Sequence, residues 1–428
     1  MTSIPSLAYA VLVGVLLVVD VTVLAADWPQ WRGPNRDGEW GETGIMETFQ
    51  AGRLPVSWRT PVGTGWSSPV VVKNRVYITD VERQGTTAKE RVLCFDAATG
   101  KQLWMHAYAV AYPAWALGPD GGGPRATPII RSGRLFTLGA LGDLLCLDAD
   151  TGDIVWARSL AKDYEVKEFT GITASPLIED DLLLLYICGK PDACVVALDK
   201  NSGLEVWRAL DDPFTYSSPI VITSGGKRQL IVWTQAGVTS LDPRTGKTWW
   251  REVFHTPGDM AVSTPVFFKD RLLVAGVMLQ LDRDRPSASV LWPESKAPLK
   301  RVLSNTSTAL FRDDYVYSAR ISGEFVCLEA STGREVWSTN TVTAPKNGSS
   351  IHITPCGDAV LLFTDQGNLI RARITSQGYG EISRVHLLNP TSPLGEKRCA
   401  WTPLAFANRH VFARNDVELI CVSLAATP

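Results

Sequence analysis

Leu145-Cys146-Leu147-Asp148-Ala149-Asp150-Thr151-Gly152-Asp153-Ile154-Val155-Trp156 decides the fold of this chain. An apolar run leads into an acid, a Thr-Gly pair follows, and a Trp stands eight residues after the acid. The pattern recurs at Asp96–Trp104, Asp199–Trp207, Asp242–Trp250 and Glu329–Trp337, once with Ser-Gly in place of Thr-Gly. The apolar run reads as a strand. Glycine supplies the positive φ of a tight turn, and the acid accepts hydrogen bonds from the turn's backbone N–H groups. The chain then returns as a second strand ending in Trp. A large indole at one place in every copy predicts stacking between neighbouring copies, since a lone hairpin cannot cover its own apolar face.

A second marker sets the count. Ser67-Ser68-Pro69, Ala126-Thr127-Pro128, Ala174-Ser175-Pro176, Ser217-Ser218-Pro219, Ser263-Thr264-Pro265, Ser307-Thr308-Ala309, Ile353-Thr354-Pro355 and Trp401-Thr402-Pro403 are eight openings spaced 43 to 59 residues apart. Each is followed by a β-rich run, a short turn and another strand, so a unit holds four strands, the signature of a propeller blade. The fifth unit lacks the Thr-Gly turn between Asp282 and Trp292, and the seventh has lost both acid and Trp. The eighth ends near Glu418–Leu424, one strand short, while Val56-Ser57-Trp58-Arg59 is a strand with no hairpin before it. Pairing those two closes the ring and hides its sheet edges. The expected fold class is therefore all-β: an eight-bladed β-propeller of four-stranded antiparallel blades, closed by an N-terminal strand.

Residues 1–26 read as a signal peptide, with an apolar run over Leu7–Leu24 and Val23-Leu24-Ala25 at a cleavage point; an uncleaved anchor is the alternative. No later stretch is long and apolar enough to span a bilayer. The expected location is periplasmic or secreted. Residues 27–57 form a Trp/Pro/Gly-rich segment expected to dock on the propeller of residues 58–428, because disordered linkers seldom carry such aromatics. Deleting residues 27–60 is expected to unfold the protein, and deleting 27–39 alone to be milder.

A net charge of −2 and the absence of basic runs exclude a nucleic-acid footprint. Eight Cys in 428 residues make no disulfide scaffold. Cys94, Cys146, Cys327 and Cys421 stand two residues before the acid or its equivalent, where Ala197 and Ser240 replace them, and are read as small packing residues. Cys188 and Cys194 flank Gly-Lys-Pro-Asp-Ala and are the candidate disulfide. Trp58, Trp104, Trp156, Trp207, Trp250, Trp292 and Trp337 are the structural tryptophans of the repeat.

These units resemble the quinoprotein-type (PQQ) propeller repeat, Ala-x-Asp-x-x-Thr-Gly-x-x-x-Trp, over about Trp58 to Leu424. More narrowly, the chain resembles exported PQQ-binding-like propeller repeat proteins related to the outer-membrane assembly factor BamB, through Asp27-Trp28-Pro29-Gln30-Trp31-Arg32-Gly33-Pro34 and Gly123-Pro124-Arg125-Ala126-Thr127-Pro128. That resemblance implies eight blades but not a bound quinone, since many such proteins keep the repeat for packing alone, and two functions are carried as alternatives. One is a non-catalytic binding or assembly scaffold with a protein partner in the cell envelope. The other is a PQQ-dependent dehydrogenase of alcohols or sugars, with PQQ and Ca as cofactors. The adjacent Cys-Cys pair and the Cys-x-x-Cys-His site of such enzymes are absent here.

No catalytic residue stands out. The sequence holds no Gly-x-Ser-x-Gly, His-Glu-x-x-His or Walker A motif, and its five His have no metal-ligand spacing. Asp148–Gly152 superficially suggests a calcium loop but lacks the later Glu, so no metal is expected there. Gly121-Gly122-Gly123-Pro124-Arg125 reads either as an anion loop or as a loop shaped for a blade junction. Residues just ahead of each opening should approach the axis. They are Trp66, Arg125, Thr173, Tyr216, Val262, Thr306, His352 and Trp401, a ring suited to a flat anionic ligand or to a plug.

Overall fold

The computed structural model describes residues 27–426 apart from 50–53, 85–86, 114–121, 167–170, 256–260, 275, 294–302, 304–305, 346–347 and 395. The signal-peptide reading of residues 1–26 lies outside the described residues. Eight antiparallel four-stranded sheets follow one another along the chain, each ordered from an inner strand to an outer one. They form the eight-bladed propeller. A two-stranded hairpin, Ser392–Leu394 with Lys397–Cys399, joins blades 7 and 8, and Leu160–Asp163 is a single helical turn.

Blade 2 shows how the repeat makes a blade. Its strands are Ile129–Arg131, Arg134–Leu138, Asp143–Asp148 and Ile154–Ser159. Asp148 Oδ1 accepts the backbone N–H groups of Asp150 (2.9 Å) and Thr151 (3.2 Å), and Gly152 takes φ +79°. The turn returns Trp156 directly opposite Cys146. The Trp156 indole N–H then donates to Lys200 O of blade 3 at 3.1 Å. Its ring lies on Gly203, the turn glycine of blade 3, where a methyl group would come within 2.8 Å of the indole. Trp58 on Gly100, Trp104 on Gly152, Trp207 on Gly246 and Trp292 on Gly333 repeat the contact. Their indoles donate to Ala97, Ala149, Pro243 and Ala330 carbonyls at 2.8–3.2 Å.

The turn glycine is thus required twice, once for its positive φ and once for the space under the indole. Gly203→Ala and Gly133→Ala separate the two demands. Both residues sit at φ above +70°, but nothing lies within 4 Å of a methyl group at Gly133. We expect Gly133→Ala to cost about 1 kcal/mol of backbone strain, and Gly203→Ala about 1–3 kcal/mol more from the clash with Trp156, read from urea unfolding midpoints. Equal costs would remove the glycine–indole contact as the reason for the motif.

Cys94, Cys327 and Cys421 face Trp104, Trp337 and Trp58 across the ladder, as Cys146 faces Trp156. Ala197 and Ser240 hold the same place opposite Trp207 and Trp250. All four thiols are buried, and burial pushes Cys94, Cys146 and Cys327 up to about 11 and Cys421 to about 12. They are packing residues with little thiolate.

The degraded blades keep the architecture by other means. In blade 5, Asp282 Oδ1 still caps Asp284 and Arg285 without a Thr-Gly turn. Trp250, facing that turn, donates instead to Gln229 Oε1 at 2.7 Å. In blade 7 the inner strand is Ile351–Cys356, so Ile353-Thr354-Pro355 lies inside the strand, not ahead of it as in blades 1 to 5. Proline is tolerated there because this strand's other edge faces the axis.

Blade 8 closes the ring. Val56–Pro61 is the outer strand, antiparallel to Glu418–Ser423, with Trp58 opposite Cys421 and Pro61 opposite Glu418. Residues 27–49 cross the inner strands from the side of their first turns. Trp28 exchanges both backbone hydrogen bonds with Val71 of blade 1, Ile130 N of blade 2 donates to Pro29 O, and Trp40 N donates to Pro355 O of blade 7. Trp28 and Trp40 are 3% and 1% exposed, packed on Phe406 of blade 8. Among the described residues no helix is long and apolar enough to cross a membrane.

Candidate functional site

The axis carries a ring of hydroxyls. Backbone N–H groups of Ser68, Thr127 and Ser175 donate to Thr127 Oγ1, Ser175 Oγ and Ser218 Oγ of the next blade, each at 2.9–3.0 Å. Thr264 N continues the relay to Thr308 Oγ1 at 3.1 Å. The opening Ser/Thr residues of blades 1 to 6 are therefore buried joints between inner strands, and the residues ahead of them are left at the rim. Trp66, Arg125, Thr173, Tyr216, Val262, Thr306, His352 and Trp401 are all half-buried.

The structure brings some of these together and not others. The Arg125 guanidinium stacks on Trp66 at 4.6 Å, and Tyr216 is close enough to act on its charge. His352 Nε2 lies 3.0 Å from Trp401 O. Thr306 Oγ1 reaches Ser349 O at 3.4 Å. Among the described residues Thr173 and Val262 join none of these contacts. The Gly122-Gly123-Pro124-Arg125 loop makes the contacts of a blade junction: Pro124 O accepts the N–H groups of Trp66 and Ser67, and a methyl group at Gly123 would meet Thr64 O at 2.4 Å.

His352 belongs to the other end of the inner strands, in a small cavity it shares with Trp28, Trp31 and Arg32 of the N-terminal segment. Burial holds its imidazole down to about 4; the Trp401 carbonyl and Asp365 oppose this and the Arg32 guanidinium adds to it. The unfolded chain titrates near 6.5. Between those values the unfolded state takes up a proton that the folded state refuses, so stability falls as pH drops from about 6.5 to about 4. His352→Gln, which retains a donor toward Trp401, should recover about 1–3 kcal/mol of that loss, seen as a smaller drop in urea midpoint between pH 7 and pH 4.5. An unchanged drop would place the acid sensitivity elsewhere.

Sequence reasoning missed two features. Arg36 is 7% exposed and enters the axis from the N-terminal segment, donating to Pro176 O (2.8 Å) and Ser175 O (3.2 Å), while the Trp31 indole donates to Thr264 Oγ1 at 2.8 Å. Their only sequence signal was the presence of Trp and Arg in a Pro/Gly-rich stretch. The second is Glu90, 1% exposed between blades 1 and 2, which accepts the Tyr108 and Tyr112 hydroxyls at 2.5 Å and Ala140 N at 3.1 Å. Burial pushes its carboxyl above the usual range.

On the outer strands the residue before each Trp points away from the indole. Leu103, Val155 and Val206 are 44%, 43% and 53% exposed, and Met105, Ile154 and Leu204 of the same three blades are exposed as well. The Cys188 and Cys194 sulfurs, both thiols here, are 3.6 Å apart across their hairpin.

Among the described residues the donors that a quinone with calcium would need are not gathered. Among the described residues no three His, Cys, Asp or Glu side chains converge on a cation position. The Trp66 face that would stack on a quinone already carries Arg125.

The profile of the outer membrane protein assembly factor BamB matches residues 55–194, 88–278 and 191–383. A curated BamB of Shewanella oneidensis is 23% identical over 264 residues, covering 57% of this chain and 62% of that protein. This chain spans about three fifths of the length of the curated relatives it matches. Among solved structures, the quinohemoprotein alcohol dehydrogenase of Comamonas testosteroni superposes with TM-score 0.66 at 14% identity, over 94% of this chain and 81% of that one. BamB of Moraxella catarrhalis gives TM-score 0.57 at 17% identity, over 87% of this chain and 100% of that one. At these identities the two structures speak for the fold alone. With the profile spanning blades 1 to 7, this propeller belongs to the family of the outer membrane protein assembly factor BamB.

Proposed function

We propose that the protein is an exported, non-catalytic binding scaffold whose partner is a protein of the cell envelope, in the periplasm or beyond it. The observation that carries this reading is a large exposed apolar side chain at the same place, just before the repeat Trp, on the outer strands of three consecutive blades: Leu103, Val155 and Val206. Repetition at one place on neighbouring blades sets these residues apart from singly scattered apolar ones, and exposed apolar surface marks interaction sites. The relatives named for outer membrane protein assembly support a partner in the envelope. The PQQ-dependent dehydrogenase is the competing reading, and the fold likeness to alcohol dehydrogenases motivates it.

One experiment separates them. A photo-crosslinking residue at Val155 in the full chain, expressed in an intact envelope, should trap a discrete envelope protein. Val155→Glu combined with Val206→Glu should abolish capture by a crosslinker placed at Leu103. The purified chain given PQQ, calcium and a dye acceptor should reduce no dye with alcohols or sugars. Dye reduction that saturates with PQQ would overturn the scaffold reading.

A further inference from the structure

The N-terminal segment does not fill the whole mouth it enters. Between it and the inner strands of blades 2 to 5 lies a cleft whose charged residues are Arg32, Arg36, Arg131 and Arg228 against Asp37 and Glu179. Glu179 is spent on Arg228, which it holds through both oxygens at 2.6 and 2.7 Å. Asp37 Oδ1 caps Glu39 N, and its carbonyl, not its carboxylate, accepts Arg32 Nη2. Arg32 thus donates to the Asp37 carbonyl and Arg36 to the Ser175 and Pro176 carbonyls and Gln30 Oε1, and among the described residues no carboxylate is hydrogen-bonded to either guanidinium. Both also adopt φ of +59°, a conformation costly for a residue with a side chain. Such strain persists where surrounding structure holds it, and it clusters at ligand clamps. Arg131 is exposed at the cleft edge and makes no ion pair among the described residues. The floor is different in kind: Ile178, Val221 and Phe267 line it, all partly exposed.

We propose that this cleft binds an organic carboxylate carried on an apolar body. Guanidinium forks match the two oxygens of a carboxylate and are weakly hydrated, so they suit a partly buried site. The apolar floor favours an apolar body over a strongly hydrated inorganic anion. The site is at the axis, apart from the outer-strand surface of the scaffold reading, and stands or falls independently of it. Two sources supply this chemistry, a fatty acid and the free C-terminus of an apolar peptide.

Isothermal titration calorimetry on the full chain distinguishes them with four probes: decanoate, trileucine with a free carboxylate, trileucine amide and inorganic phosphate. The proposal expects decanoate, trileucine or both to bind. Saturation by decanoate alone assigns the fatty acid, and by trileucine alone the peptide. Blocking the carboxylate as the amide should weaken binding at least about tenfold, as should Arg131→Gln, an exposed position whose change leaves the melting temperature in place. Arg32→Gln should weaken binding further and supplies a second variant if its fold holds. No binding of either carboxylate at ~1 mM, equal affinity for the amide, tighter binding of phosphate, or full affinity in Arg131→Gln would each overturn it.

Discussion

A chain lacking residues 27–60 will aggregate or unfold without a cooperative transition. Its closing strand is gone: Val56–Pro61 forms the outer strand of blade 8, and its removal bares the edge of Glu418–Ser423 to other chains. The junction to blade 1 goes with it, because Trp58 lies on Gly100 and donates to Ala97 O at 2.8 Å. Trp28 and Trp40 leave the core between blades 8 and 1. Deleting only residues 27–39 keeps the closing strand and Trp40, so the ring should still close and unfold cooperatively. It will not be as mild as the sequence suggests, however. Trp28 is 3% exposed and Arg36 holds two carbonyls of blade 3, so we expect a loss of at least about 3–5 kcal/mol from the indole alone. Calorimetric melting of both deletions checks this. Near-native transitions in both would mean that the ring closes some other way.

Trp292→Ala should be the most costly single substitution among the repeat tryptophans, at about 3–5 kcal/mol. This side chain is 5% exposed, its indole N–H is satisfied by Ala330 O at 2.9 Å, and it covers Gly333. Truncation opens a cavity across two blades and leaves a buried carbonyl unpaired. Trp337 makes the corresponding reach to Thr375 O at 2.8 Å but is only half-buried, so Trp337→Ala should cost less than half as much. Urea unfolding midpoints at constant slope give both values. A Trp292→Ala midpoint within experimental scatter of wild type would dismiss stacking as the reason the repeat keeps its indole.

The sequence by itself determined the blade. An acid, a turn glycine and a Trp at fixed separations act within one hairpin or across one neighbouring junction, and such short-range demands are written into every copy. Counting the copies fixed eight blades. The unpaired Val56–Arg59 and the missing last strand identified each other because both leave an unpaired sheet edge. In blade 7, where acid and Trp are absent, the count is right but the register is not: Thr354-Pro355 reads as an opening, whereas the inner strand starts at Ile351.

Only the tertiary structure decided what meets at the axis. Blades 1 and 8 meet there through residues 335 apart in the chain, as in the contact of Arg414 Nη1 with Thr79 O at 2.6 Å, both on second strands. No local pattern encodes which side chain crosses which blade. Arg125 covers Trp66 because the loop before blade 2 folds over blade 1, and His352 is kept neutral by burial beside Arg32, residues far removed from it in sequence. The segment carrying Trp31, Arg32 and Arg36 gave only its composition as a signal. These side chains reach the inner ends of blades 3 and 5, Arg36 on Ser175 and Pro176 and Trp31 on Thr264, and leave a basic cleft with an apolar floor beside them, because the segment crosses the ring far from its own place in the chain.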